Sequence, residues 1–583
     1  MPDSSTLSPS SVPPGRRAYA ALPLLWTAVV LVLTLTPAID MPRTPAWKLL
    51  SFDTAAHAGV FGVLAALSGF SLRRQRRWPR LARHSGLVAL LGSTALGGLI
   101  EVLQYAMHLG RHAEWTDWLS DTLGAALAVG LLFLVWRVWQ ARRPATAALG
   151  LLMVAASLGA APVQAQDLGR ARETINWLAS PELQGRGYVY NGDHKAAAYL
   201  AGRLSELGLT PLAPAFRQPF AVDVNTFPGE MKLVLGTAAK GRAAKSLVVG
   251  RDFIAAPDSR AGSVSGAKLL ALDSLVFTDL TAVERFLKIP LDARVLLLQG
   301  REARRLDKLP ASLRQHLDKA AAWITLVPKL TASLADSQAP QPRLEVLASA
   351  WRFSATAQAD LGVQIKLDAQ LKRNYPTQNV AAVMRGSAQP DSFLVVSAHY
   401  DHLGTMGRKA YFPGANDNAS GVALLLELAA HYARPENRPA YSVVFLLFGA
   451  EEAGLRGSRY FVAHPLVPLD RIRFLVNLDL LGTGEQGATV VNGRVLDAPY
   501  QRLVALNAAH RYLPQLAPRG PAANSDHFPF SEVGVPAFFI YTRGGSPAYH
   551  DVHDRPEALS LAGFAGAFGL VRDFLNELGA AKK

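Results

Sequence analysis

Cysteine is absent from all 583 residues, so the chain can form no disulfide, no thiolate metal site and no cysteine nucleophile. That absence also leaves the redox compartment undetermined by thiol chemistry. Charge is sparse: 18% of residues are charged and half are hydrophobic, which suits an apolar membrane-type segment joined to a globular one. Neither H-E-x-x-H nor G-x-S-x-G occurs, which argues against zincin and serine-hydrolase mechanisms. Nucleic acid is not implied by the net charge of +15, because the densest basic run, LRRQRRWPRLARH, lies between two apolar spans in a positive-inside pattern. A chain of this length is expected to hold two to four domains.

Four apolar spans are read at 20–38, 54–72, 86–107 and 119–138, each near the ~20 residues that cross a bilayer, and a fifth at 145–163. Arg16 and Arg17 precede the first, six arginines separate the second from the third, and Arg142 and Arg143 precede the fifth. The expectation is a cytoplasmic tail over 1–19 and a transmembrane domain over 20–143 in the cell (inner) membrane, with the bilayer as partner. Residues 144–166 form a fifth span or an internal signal-like segment, since RRPATAALGLLMVAASLGAAPVQA has a basic start, an apolar middle and a V-Q-A ending. Retention as a span, or cleavage after Ala165, would each put residues 167–583 outside the cytoplasm, in the periplasm. Polar residues recur near the outer span ends, as D-x3-H (Asp53, His57), E-x2-Q (Glu101, Gln104) and R-x5-D-x3-D (Arg111, Asp117, Asp121). This pattern over 20–140 resembles the VanZ-like membrane family, a resemblance that implies no settled chemistry.

From Gln166 the composition turns soluble. INWLASPELQGRGYVYNGDHKAAAYLAGRLSELGL reads as a helix, a Gly-rich loop and a second helix. Residues 221–372 read as an inserted, mainly β module without a catalytic set of its own, built on runs such as KSLVVG, ARVLLLQG and AAWITLVP. Beyond 375, near-continuous apolar strands alternate with helices, which predicts an α/β domain with a mixed central sheet and helices on both faces. Ligands in such folds sit at the C-terminal ends of strands.

Carboxylates and histidines gather at those ends: His399 and Asp401 in SAHYDHLG, Asp417 in PGANDNASG, Glu451 and Glu452 in GAEEAG, Asp479 in NLDLLG, His550 and Asp554 in PAYHDVHD. Imidazole and carboxylate suit zinc, and one carboxylate can bridge two ions about 3.5–4 Å apart. Asp401, two positions after His399, shares its face on a strand and can reach back to orient the imidazole. The adjacent glutamates after the buried run YSVVFLLF admit two readings. Acids opening a helix favour its dipole, and two neighbouring carboxylates can also hold two different jobs.

The ordered set H-x-D, N-D-N-x-S-G, E-E, N-x-D, S-D-H-x-P-F and Y-H-x3-D over 375–575 resembles the M28 family of zinc aminopeptidases. ELQGR resembles their N-terminal part, and the insertion their protease-associated domain. The resemblance implies an aminopeptidase with peptide substrates and two zinc ions. His399 and Asp479 would hold one ion, Glu452 and His550 the other, with Asp417 bridging. Glu451 would be the general base, Asp401 the orienting partner of His399, and Ser525, Asp526 and His527 would shape the substrate pocket. Two rivals remain at this stage: a glutaminyl-cyclase-like acyltransferase with one zinc, and a peptide-binding protein without catalysis. His402 and His553 match no ligand position and read as structural, and the N-A-S sequon at Asn418 reads as a chance match beside Asp417.

Overall fold

The computed structural model describes residues 18–35, 52–74, 78–107, 115–141, 167–236, 244–353 and 361–580, which fall into two compact units divided between Val163 and Gln164. The first unit is helical: α1 (Ala18–Leu35), α2 (Phe52–Arg74), α3 (Pro79–Arg83), α4 (Ser85–Met107) and α5 (Trp115–Ala141). Helices α2 and α5 approach closely at Gly124, where a Cβ would lie 2.0 Å from the carbonyl oxygen of Ala58.

The expectation of four or five membrane spans is overturned. No helix among the described residues is long and apolar enough to cross a membrane. Helices do form over the four segments, but α1 has only 18 residues and contains Pro23, and α2 carries Asp53, His57, Arg73 and Arg74. Glycines and hydroxyl residues dilute α4, which also holds Glu101 and Gln104, and α5 carries Asp117 and Asp121. The fifth segment, 145–163, lies outside the described residues.

The second unit is α/β. Its main sheet comprises β1 (Thr210–Pro211), β2 (Arg217–Thr226), β3 (Gln370–Met384), β4 (Gln389–His399), β5 (Tyr441–Phe448), β6 (Ile472–Leu478), β7 (Ala488–Val491), β8 (Leu516–Pro518) and β9 (Ala537–Thr542). The order is β1-β3-β5-β4-β6-β9-β7-β8, with β2 beside β3. Strands β5, β4, β6 and β9 are mutually parallel neighbours, so their C-terminal ends share one edge.

The run YSVVFLLF is continuous because both faces of the sheet are covered. Val443, Phe445 and Leu447 enter one core while Val444, Leu446 and Phe448 enter the other, as strand alternation requires. The helix Gly421–Tyr432 lies in the first core with every residue buried. Its one carboxylate, Glu427, is compensated there by the Arg170 guanidinium, with two bonds of 2.6 Å, and by the Asp167 N–H at 2.8 Å.

Between β2 and β3 the chain builds a separate eight-stranded sheet, with strands from Met231–Gly236 to Gly362–Leu367. Helices Leu280–Leu287 and Ala311–Leu317 pack Phe286 and Leu313 on one face. The core on the other face includes Leu403, Met406 and Phe412, which belong to the loop after β4. The insertion is therefore packed directly against the segment that follows His399.

Candidate metal centre

The parallel strand ends deliver the polar residues. His399 is the last residue of β4, Glu451 and Glu452 follow β5 by three and four positions, Asp479 follows β6 directly, and His550 lies in the loop after β9. Asp417 comes from the turn that opens the helix Gly421–Tyr432, where Asn418 fixes the backbone by donating to the carbonyl of Leu478 and accepting from the N–H groups of Gly421 and Leu480. Asn418 is fully buried in this role, in keeping with a chance sequon.

These side chains converge as two triads that share one carboxylate. His399 Nε2 lies 3.3 Å from Asp417 Oδ1 and 3.4 Å from Asp479 Oδ1. His550 Nε2 lies 3.2 Å from Asp417 Oδ2 and 3.1 Å from Glu452 Oε2. Ligand atoms about 2.0–2.1 Å from a tetrahedral zinc are about 3.3 Å from each other, so the four histidine–carboxylate separations match the edge length such an ion needs. A second observation agrees: Asp479 Oδ1, fully buried, has no hydrogen-bond partner. The donor set and its spacing fit divalent zinc.

The electrostatics describe a pocket with surplus negative charge. Burial alone would lower the pKa of His399, but the carboxylates of Asp479, Glu451 and Asp417 raise it well above the ordinary value. Against the same burial penalty, Glu452 and Asp417 raise His550 to about 11. Glu452 is held down to about 2 by His550 and His402, which overcome burial and the charge of Asp417. Glu451 moves the other way, well above the carboxylate range, because burial and the charges of Asp526, Glu452 and Asp479 outweigh the pull of His399. Neighbouring carboxylates with opposite shifts are the pattern expected of two different roles.

Asp401 works differently from the sequence expectation. Its carboxylate is 3.8 Å from His399 Nδ1, whose nearer contact is the Asp401 backbone carbonyl at 3.2 Å. β4 ends at His399, so side-chain alternation stops before Asp401. The carboxylate instead accepts the N–H groups of Glu451 at 3.0 Å and Glu452 at 3.3 Å, and the Tyr188 hydroxyl at 3.1 Å. It thereby ties the turn that carries both glutamates to the end of β4.

Ser525, Asp526 and His527 are all fully buried. A chain of hydrogen bonds runs from Ser397 Oγ to Asn477 Oδ1 (2.7 Å), from Asn477 Nδ2 to Ser525 Oγ (2.7 Å), and from Ser525 Oγ to Asp479 Oδ2 (2.9 Å). One oxygen of Asp479 is occupied and the unpartnered one faces His399. Ser525→Ala is expected to weaken zinc binding at the His399–Asp479 triad by about 10–100-fold, read by chelator competition. Unchanged affinity would remove Ser525 from this role. Burial raises Asp526 to about 7 and lowers His527 to about 4.

Three further residues contribute, of which the sequence reading had singled out Asp554 without giving it a role. His402 was read as structural, yet its Nδ1 lies 2.7 Å from Glu452 Oε1, leaving Oε2 for the side of His550, and it groups with Asp417 and Glu452 as candidate ligands. Arg186, in ELQGR, is fully buried and donates to the carbonyls of Tyr400, Leu178, Pro413, Gly414 and Asp417. Gly414 is required beneath it, since a Cβ there would meet Arg186 Nη2 at 2.6 Å. Asp554 accepts the N–H groups of Asn416 and Asp417 and so holds the turn of the shared carboxylate. The sequence signals among these are an arginine in a Gly-rich loop and the Asp554 of Y-H-x3-D, and neither reveals which backbone groups are bound.

Comparison with known proteins agrees with both motif resemblances. Residues 379–575 match the family model of Peptidase family M28, and residues 15–137 match VanZ/LLP1. Aminopeptidase YwaD of Bacillus subtilis (strain 168) is 32% identical over 221 residues, 36% of this chain and 46% of that protein. A probable zinc metalloprotease of Pyricularia oryzae is 42% identical over 113 residues, 19% of this chain and 22% of that protein. The chain thus spans less than half the length of these curated relatives. Among solved structures, an aminopeptidase from Aneurinibacillus sp. strain AM-1 aligns with TM-score 0.50 at 22% identity, covering 72% of this chain and 95% of that one. A peptidase M28 precursor from Shewanella amazonensis aligns with TM-score 0.53 at 16% identity, covering 72% and 95%. These likenesses establish the fold. Residues 379–575 are thus similar to Peptidase family M28 and residues 15–137 to VanZ/LLP1.

Proposed function

We propose that the C-terminal unit is a zinc-dependent aminopeptidase that works with two ions and uses Glu451 as its general base. The observation that carries this reading is the pair of donor triads sharing Asp417, each with its histidine 3.1–3.4 Å from both carboxylates. His399, Asp479 and Asp417 Oδ1 would hold one ion; His550, Glu452 and Asp417 Oδ2 the other. Zinc bound there supplies a Lewis acid for the scissile carbonyl and lowers the pKa of water in the site. Glu451, beside the ligand Glu452 and tied to the end of β4 through Asp401, would take a proton from the attacking water and pass it to the departing amine. The aminopeptidase names of several relatives support cleavage at peptide N-termini.

Work outside the cytoplasm is part of the proposal, supported by the signal-like segment ending at Ala165 and by a compact unit that begins at Gln164. Digestion of residues 167–583 by protease added to intact spheroplasts would agree with it, and protection until the cells are lysed would not.

The activity is tested by incubating the zinc-loaded full chain with aminoacyl arylamides and with N-acetylated counterparts. Hydrolysis of the free-amine series alone, abolished by chelation and restored by zinc, is the expected result. Release of pyroglutamate from N-terminal glutamine without arylamide hydrolysis would replace the reading with a cyclase, and no turnover of any of these would contradict both.

A further inference from the structure

The two triads are not supported by the same parts of the protein. On the first, His399 rests on the carbonyl of Asp401 and Asp479 on Ser525, both within the main α/β domain. On the second, His550 rests on the insertion. Residues 329–332 lie between the insertion strands Ala322–Val327 and Arg343–Leu347, and Leu330 and Ala332 are buried in the insertion core. Ala332 grips His550 from two sides: its carbonyl is 2.9 Å from His550 Nδ1, and its N–H donates to the His550 carbonyl at 3.0 Å. A carbonyl only accepts, so Nδ1 carries the proton and the Nε2 lone pair is free for a metal.

Lys329 extends the grip. Its ammonium donates to the carbonyls of Pro547 at 2.9 Å and Tyr549 at 3.1 Å, and lies 4.0 Å from the Asp551 carboxylate. Val552 continues the contact by packing against the insertion core. His550 needs such support because its φ of 55° is in the left-handed region, where a residue with a Cβ stays only if neighbours hold it.

We infer that the inserted module completes the second cation site, with Lys329 and Ala332 as positioning residues that fix the backbone, tautomer and direction of His550. The inference rests on the two-ion reading above. A movement of the insertion relative to the main sheet would then be felt first by the ion at His550 and Glu452, while the ion at His399 and Asp479 stayed in place.

The test follows zinc release from the full chain into a chromogenic chelator. Lys329→Ala is the variant, Lys329→Arg the conservative rescue and His550→Ala the marker for the second ion. Lys329 is well exposed, with 41% of its side chain accessible, so its loss is tolerable for folding, and thermal melting of each variant checks this. The expected result is one ion leaving Lys329→Ala at least tenfold faster, the other at the wild-type rate, an unchanged melting temperature, and restoration by Lys329→Arg. The fast ion should be the one that His550→Ala fails to retain. Both ions leaving at wild-type rates, or both accelerated alike, would overturn the inference alone. A wild-type chain that takes up fewer than two ions would overturn the two-ion reading and the inference with it.

Discussion

Glu451→Gln is expected to lower kcat by about 10²–10⁴-fold while leaving the zinc content unchanged. The amide keeps the size and the backbone contacts of the glutamate but cannot take a proton. The backbone N–H of Glu451 would still be held by Asp401, so the turn should not shift. Glu452→Gln should behave in the opposite way. Its Oε2 is 3.1 Å from His550 Nε2 and its Oε1 2.7 Å from His402 Nδ1, so an amide removes ligand charge from the second triad. That variant should lose one zinc ion, with activity falling as a consequence and recovering in part at high zinc. Equal zinc loss in both variants would contradict the division of labour between the two glutamates. Steady-state kinetics beside metal analysis of the same samples separates these outcomes.

Arg186→Met is expected to destabilise the C-terminal unit by about 3–5 kcal/mol or more, because five buried carbonyls lose their donor together. These carbonyls come from the end of the first helix of the unit, the residue after His399, and the turn of Asp417. One guanidinium thus joins the segments that carry the shared carboxylate and the first histidine. Burial lowers its pKa to about 10, against the raising effect of Asp417, Asp554, Asp401 and Glu452, so the group stays cationic at neutral pH. Methionine has similar length and no donor. Lysine keeps the charge but cannot reach carbonyls on several sides with a planar fork, so Arg186→Lys should recover little. Chemical denaturation at fixed zinc concentration measures the loss, and a change below about 1 kcal/mol would show the carbonyls to be satisfied without it.

The parts legible in sequence were those with a local signature. YSVVFLLF could be read as a strand covered on both faces because alternate residues supply both cores. His399, Asp417, Glu452, Asp479 and His550 stood out because strand ends and one helix-opening turn present them in order. What failed depended on more than local pattern. The four apolar runs between residues 20 and 138 were read as crossings, but apolar content is interrupted by Pro23 in α1, acids in α2 and α5, and glycines in α4. Asp401 was assigned by strand alternation that ends two residues earlier. His402 was set aside because no spacing rule links it to Glu452, 50 residues on, although the fold puts them 2.7 Å apart. The insertion looked devoid of site residues because its contribution at Ala332 is made by backbone atoms, which every residue type has.

Anomalous scattering at the zinc edge from crystals of the zinc-loaded chain tests the central claim most directly. The account predicts two peaks about 3.5–4 Å apart, one between His399 and Asp479, the other between His550 and Glu452, with Asp417 contacting both. A single peak, or zinc bound away from these five side chains, would contradict it.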